Sequence, residues 1–204
     1  WNTPRVPPWG GDAISYLDYR KAIEFWATQY DAIETKCELV GIRWFASVWD
    51  RQSLEFIRQY DVPFIKIPSA KIVSRELLLY ARNQPAPVIL STGMSALEEI
   101  DTAVKTVGRN DTIILHCHSA YPCKDSEINL RVMDTLRKRY DLPIGFSSHS
   151  TSPFPSIIAA ALGAKMIEAH ITKDRSLPGS DHAASLERPG LALLVREVRR
   201  LDSI

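Results

Sequence analysis

Short apolar runs alternate with helical stretches along most of this chain, and that alternation constrains the fold more than any other feature. IRWFASV, FIKIPS, PVILST, TIILHCHS, PIGFSSH and MIEAHIT are compact apolar segments without polar alternation. This is the pattern of strands in a parallel sheet covered on both faces. The helical stretches between them carry their own signals. Tyr30, Ile33, Cys37 and Val40 recur at helical spacing until Gly41 stops the helix, and Asp50 can cap SLEFIRQY. Ser74 opens SRELLLYARN, and Ser95 with Glu98 reads as a capping box on the next helix. NLRVMDTLRKRY, PSIIAAALG and GLALLVREVRRL supply the remaining helices. One domain over residues 1–204, with six strand–helix units over residues 28–204 and right-handed crossovers, is expected. Residues 1–27 lack a sustained period and are expected to form a long loop. Six strands on this reading suit either a doubly wound open sheet or a (β/α) barrel.

The polar residues decide between the two. Each apolar run turns polar at its finish: Ser47, then Lys66 and Ser69, Ser91 and Thr92, Ser119 and Tyr121, Ser147 and His149, Glu168 and His170. In parallel α/β folds the carboxyl ends of the strands form the active site. Contributions from every strand to one rim are what a closed barrel offers, whereas an open sheet works at its switch point. The α/β fold expected is therefore a (β/α) barrel of the TIM type.

Composition narrows the partners. The chain has 25 basic and 24 acidic residues, a balance that gives no electrostatic basis for binding nucleic acid or an anionic membrane. Its apolar stretches fall well short of the ~20 residues of a membrane span. Cys37, Cys117 and Cys123 are sparse and without metal-type spacing. With no signal-peptide pattern in WNTPRVPPWGG, they point to a reducing, cytoplasmic location.

The chemistry follows from residue phase. Side chains two apart on a strand share a face, so Ser147 points with His149, and Glu168 with His170. Two neutral imidazoles converging from adjacent strands suit a divalent ion such as Mn²⁺ or Zn²⁺ that keeps positions open for substrate oxygens. Lys66 sits between isoleucines, where an ammonium has to find an anion. With Ser47, Ser69, Ser91, Ser119 and Ser147 it makes a donor set for a phosphate or phosphorylated carboxylate. Glu168 is the acid/base candidate, and Asp181 in LPGSDHAASLE is a second carboxylate. His116 and His118 are out of phase with Ser119 and Tyr121 and are expected to face away as structural groups. His182 lies in a loop and is left unassigned.

FIKIPSA, VILSTGMSALEEI, ILHCHSAYP, IGFSSHS, LGAKMIEAHIT and GSDHAASLE, in this order, resemble the sialic acid synthase family, which includes N-acetylneuraminate, legionaminic acid and pseudaminic acid synthases. The resemblance implies a transferase of carbohydrate biosynthesis. Such an enzyme adds phosphoenolpyruvate to the open-chain aldehyde of an N-acylated hexosamine (ManNAc-like), releasing phosphate. It implies His149 and His170 as ligands of a divalent metal, Mn²⁺ first, with Mg²⁺ or Co²⁺ as alternatives. Lys66, Ser69, Ser91 and Ser147 match phosphoenolpyruvate contacts; Ser47 stands where the family has threonine, and Ser119 where some members have asparagine. Tyr121, Glu168 and Asp181 match residues that bind the amino sugar or transfer protons. The alternatives are another phosphoenolpyruvate aldol synthase of the 3-deoxy-sugar-acid type, or an inactive barrel fragment.

Two positions depart from the family pattern: Ala169 replaces a common arginine, and Ser148 stands where aspartate or glycine is frequent. The resemblance also implies the full eight-stranded (β/α)8 TIM barrel, of which this chain is a part, so the first two strands, and a small antifreeze-like domain after the barrel, would lie outside residues 1–204. The isolated chain is then expected to be poorly active, and the full-length protein to be a homodimer.

Overall fold

The computed structural model describes residues 4–7, 10–108, 111–201 and 203–204. Two compact units divide the chain between Trp44 and Phe45, where a single domain was expected. In the first unit, β1 (Pro4–Arg5) pairs antiparallel with β2 (Ile14–Ser15). Helix α1 (Tyr16–Ile23) follows directly, its first turn held by the Asp18 amide donating to Ser15 Oγ. Residues 1–27 are thus not the long loop expected, although residues 1–3 and 8–9 of that segment lie outside the described residues. The Arg5 guanidinium lies 5.3 Å from the Tyr16 ring and 5.7 Å from that of Tyr19, so aromatic stacking replaced the missing helical period. Helix α2 (Ala27–Val40) ends at Gly41, whose φ of 71° is the left-handed conformation that glycine adopts without cost.

The second unit runs through α3 (Arg51–Ile57), β3 (Ile65–Ile67), α4 (Arg75–Arg82), β4 (Val88–Ser91), α5 (Leu97–Val107) and β5 (Thr112–Cys117). It continues through α6 (Asp125–Ile128), α7 (Val132–Tyr140), β6 (Ile144–Ser148), α8 (Phe154–Ala161), β7 (Ile167–Ala169) and α9 (Arg188–Leu201). Asp50 caps α3 as its position implies, accepting the Ser53 amide at 2.7 Å. The cap of α5 sits one residue later than expected: Glu99, not Glu98, accepts the Ala96 amide, and Ser95 turns back to the Gly93 carbonyl.

The strands form one parallel sheet in the sequential order β3-β4-β5-β6-β7. A sheet wound in one direction without a switch point is an arc of a (β/α) barrel. Among the described residues this sheet has five strands, not six. IRWFASV contributes a single parallel bridge, Ser47 to Lys66, with the Val48 amide donating to the Lys66 carbonyl at 2.9 Å. The row Ile67, Leu90, Ile114 and Ile144 points outward and is buried. Leu77, Leu78, Met133 and Leu136 of the helices are buried with it. The opposite face carries Lys66, Ser91, Cys117, Ser147 and Glu168; the last three are in register, while Ser91 pairs with Leu115 and Lys66 with Ile89 on that same face.

Gly145 shows how tightly this inner face is filled. A methyl at its Cβ position would sit 2.6 Å from the Met166 carbonyl oxygen and 2.5 Å from Leu115 Cδ2. Because a backbone atom cannot rotate away, Gly145→Ala is expected to destabilise the chain by ~1–3 kcal/mol. Denaturant unfolding measures this; an unchanged midpoint would mean that the inner face is looser than these distances.

Candidate active site

Five strands at about 4.8 Å spacing would set β3 and β7 about 19 Å apart in a flat sheet. A lysine and a glutamate side chain cannot bridge that gap. Yet Lys66 Nζ, on β3, lies 3.3 Å from Glu168 Oε2, on β7. The sheet is therefore curled, and its inner face is concave. Lys66 is only 6% exposed, so its ammonium has found the anion its setting between isoleucines required. The second oxygen of Glu168 accepts the Ser147 hydroxyl at 2.8 Å.

Every site residue expected from the sequence lines one cavity of about 610 Å³ at the carboxyl ends of the strands. Ser47, Lys66, Ser69, Ser91, Ser119 and Ser147 form its wall with Tyr121, His149, Glu168, His170 and Asp181. Lys66 is the one permanent cation among these. Ser91 is 2% exposed, and its hydroxyl has no hydrogen-bond partner among the described residues. A buried hydroxyl left unpaired at a cavity wall is costly unless a ligand satisfies it. Over the wall, Gly93 donates its amide to Ser69 Oγ at 3.0 Å. A Cβ there would lie 2.2 Å from Ser119 Oγ, so the glycine lets the STGM turn approach both serines.

The histidines sit where two faces meet. The His149 and His170 ring centroids are 5.1 Å apart, and the Tyr121 ring lies 3.9 Å from the first and 5.6 Å from the second. His149 Nδ1 donates to the His118 carbonyl at 2.7 Å, which leaves Nε2 as the lone-pair nitrogen. This support comes from a main-chain carbonyl, so it does not depend on which side chain occupies position 148. His170 Nδ1 lies 3.8 Å from Asp181 Oδ2. Asp181 is brought there by the segment after β7, which folds back through the parallel bridge of Ile171 with Leu186. The pair fits a divalent ion on the chemistry of its donors: two imidazoles close together, each with one nitrogen turned to an acceptor and the other available.

Electrostatics separate the groups. Burial, aided by the neighbouring His149, holds the His170 imidazole below its ordinary pKa, which favours the neutral form a ligand needs. Burial also pushes His149 down, but Cys117 and the His118 carbonyl outweigh it and leave His149 above the ordinary value. Tyr121 is pushed up to about 12, first by burial and then by Cys117, Asp181 and Glu168. It therefore stays a phenol and a hydrogen-bond donor.

Cys117, Trp49 and Met94 also line the cavity and were not singled out in the sequence. Cys117 was legible in principle, being in phase with Ser119 and Tyr121. Its Sγ lies 4.0 Å from His149 Nδ1. Burial would raise this thiol, but His149, with Ser69 and Ser147, more than offsets that and lowers it. His116 faces the other way, donating to the Ile128 carbonyl at 2.7 Å against the Phe146 ring. His182 is paired with Thr172 Oγ1 at 2.7 Å and does not line the cavity.

The chain is similar to known proteins over most of its length. The chain is 38% identical over 192 residues to the N-acetylneuraminate-9-phosphate synthase of Homo sapiens, covering 92% of this chain and 53% of that protein. It is 32% identical over 200 residues to the N,N'-diacetyllegionaminic acid synthase of Legionella pneumophila, covering 95% of this chain and 56% of that one. The chain thus spans about half the length of these relatives. A solved N-acetylneuraminic acid (sialic acid) synthetase of Leptospira borgpetersenii serovar Hardjo-bovis, in complex with citrate, superposes with a TM-score of 0.85 at 36% identity, over 89% of this chain and 64% of that one. The sequence profile of the NeuB family matches residues 6–204, and with a curled parallel sheet and sialic acid synthase relatives on the same span, the chain belongs to that family.

Proposed function

We propose that this chain carries the catalytic centre of a synthase that joins phosphoenolpyruvate to the open-chain aldehyde of an N-acylated hexosamine. The products are a sialic acid-type nonulosonic acid and phosphate. The observation that supports it most is Lys66, a desolvated cation paired to Glu168 across the concave sheet beside the unpartnered Ser91 hydroxyl. On this reading the five strands and the Ser47 bridge answer to strands three to eight of an eight-stranded barrel. Cytoplasmic work and homodimeric assembly belong to the same proposal; no described helix is long and apolar enough to cross a membrane.

Lys66 holds the carboxylate or phosphate charge of the enol, and Ser47, Ser69, Ser91, Ser119 and Ser147 donate to its oxygens. A divalent ion, Mn²⁺ first with Mg²⁺ or Co²⁺ as alternatives, would be held by His149 and His170, and when bound supplies Lewis-acid polarisation of a carbonyl oxygen. Tyr121 donates its phenol to the sugar and walls off one side of the imidazoles. Asp181 orients His170 and faces the sugar. In the reaction the methylene carbon of the enol bonds to the aldehyde carbon as the carbonyl π bond breaks onto oxygen, and positive charge develops at the phosphate-bearing carbon. Water adds there, Glu168 takes one of its protons and passes it to the aldehyde oxygen, and as the C–O bond to phosphate breaks the remaining hydroxyl proton leaves with phosphate and the keto group forms.

The test is incubation with phosphoenolpyruvate and ManNAc, its 6-phosphate, or a phosphorylated tetrose or pentose, reading phosphate release and product mass. Binding of phosphoenolpyruvate is followed in parallel as a rise in melting temperature, because the chain spans about half of its relatives. Condensation with an amino sugar, or saturable binding of phosphoenolpyruvate, is expected. Product from the phosphorylated simple sugars alone would assign the chain to the 3-deoxy-sugar-acid class, and the absence of both binding and product would overturn the reading.

A further inference from the structure

A second donor cluster lies outside the cavity, in the segment that follows β5. His118, Cys123 and Glu127 each present a ligand atom, and the three atoms lie within 4.8 Å of one another. His118 points away from the cavity because it alternates with Cys117 and Ser119, which line it. Its Nε2 is 3.7 Å from Glu127 Oε2, and both side chains are 41% exposed. Cys123 is buried beneath them, its Sγ 3.4 Å from the Lys124 carbonyl. The other Glu127 oxygen has a 3.9 Å contact with Lys124, an exposed pair of small energetic weight.

We propose that His118 Nε2, Cys123 Sγ and a Glu127 carboxylate oxygen form a Zn²⁺ site, with water as the fourth ligand. A thiolate, an imidazole and a carboxylate make a set that zinc accepts in tetrahedral geometry, with bonds of about 2.0–2.3 Å. Donors on such a tetrahedron are about 3.3–3.8 Å apart. The His118–Glu127 spacing already fits, and the thiol needs to close by roughly 1 Å. The softer thiolate separates this site from the cavity histidines, since it selects zinc over manganese or magnesium.

The placement gives the site a consequence. The His118 carbonyl accepts from His149 Nδ1 at 2.7 Å, and the Cys123 amide donates to the His149 carbonyl at 2.9 Å. Tyr121, stacked on His149, lies between these two anchors in sequence. An ion joining residues 118, 123 and 127 therefore ties down the segment that orients both rings. It acts as a positioning element and touches no substrate.

Co²⁺ titration of the chain tests this, because a thiolate ligand gives a near-ultraviolet charge-transfer band that histidine and carboxylate sites lack. The band is expected in the wild type, displaced by Zn²⁺, kept in Cys117→Ser and Cys37→Ser, and lost in Cys123→Ser. His118→Asn and Glu127→Gln alter half-exposed side chains. Each should weaken Co²⁺ and Zn²⁺ binding by roughly tenfold or more, with the circular dichroism spectrum unchanged. Absence of the band, its survival in Cys123→Ser, or wild-type titration by both other variants would overturn the assignment.

Discussion

Lys66→Met is expected to weaken phosphoenolpyruvate binding by two to three orders of magnitude while changing folding stability far less. The two effects separate because the ammonium is desolvated, with only 6% exposure, whereas its partner is not: the Glu168 side chain keeps 32% exposure and the hydroxyl of Ser147. Removing one partner of an ion pair is costly for folding when it leaves the other charge buried and alone, which is not the case for Glu168. The carboxylate left behind retains water and one donor, so its loss is about 1–2 kcal/mol at most. A ligand anion stands differently. It would meet the cavity's one permanent cation in a water-poor setting, where truncating one partner of a charge pair costs about 2–5 kcal/mol. Titration calorimetry with phosphoenolpyruvate, set beside denaturant unfolding, measures both quantities. Combining Lys66→Met with Glu168→Gln gives their coupling, expected at ~0.5–3 kcal/mol. A Lys66→Met variant that bound phosphoenolpyruvate within threefold of the wild type would remove Lys66 from the anion site.

Much of this was legible because it depends on phase. The step of two along a strand put Ser147 with His149 and Glu168 with His170, and the structure carries these pairs to one cavity. The lysine between isoleucines announced a buried cation, and its partner proved to be Glu168. What the sequence concealed depends on distance in space. Curling of the sheet, which brings β3 against β7, is a property of register and twist and leaves no mark in either strand's residues. IRWFASV has the composition of a strand, but among the described residues it forms only a bridge, since how far a strand pairs depends on the neighbours it meets in space. The helix of Tyr16–Ile23 was hidden by its aromatics, which contact Arg5 and each other. Cys123 gave no signal among three scattered cysteines; only the turn after β5 sets it beside His118 and Glu127.

His149→Ala and His170→Ala are both expected to reduce Mn²⁺ affinity by more than the roughly 10–100-fold typical of changes to groups that merely support a ligand. Their effects on folding should diverge. His149 is 4% exposed, stacked on Tyr121 at 3.9 Å and bonded to the His118 carbonyl, so its removal opens a cavity and leaves an acceptor unpaired. A loss of about 1–3 kcal/mol follows. The His170 side chain is 32% exposed, with Asp181 at 3.8 Å as its charged neighbour, and its removal should cost far less. His170→Ala is therefore the cleaner probe, since lost binding in a well-folded chain cannot be traced to the fold. The two rings should also divide the pH dependence. A proton on an imidazole occupies the lone pair a metal needs, so affinity falls as pH drops through the pKa of each ligand. His149, held above the ordinary imidazole value despite its burial, protonates first on acidification, while His170, held below it by burial, stays neutral longer. Mn²⁺ affinity measured by the resonance of the free ion should accordingly begin to fall on the alkaline side of the usual histidine range. In His149→Ala the residual affinity should begin to fall only at lower pH, where His170 titrates. Retention of wild-type Mn²⁺ binding by both variants would remove this pair of imidazoles as the metal's seat.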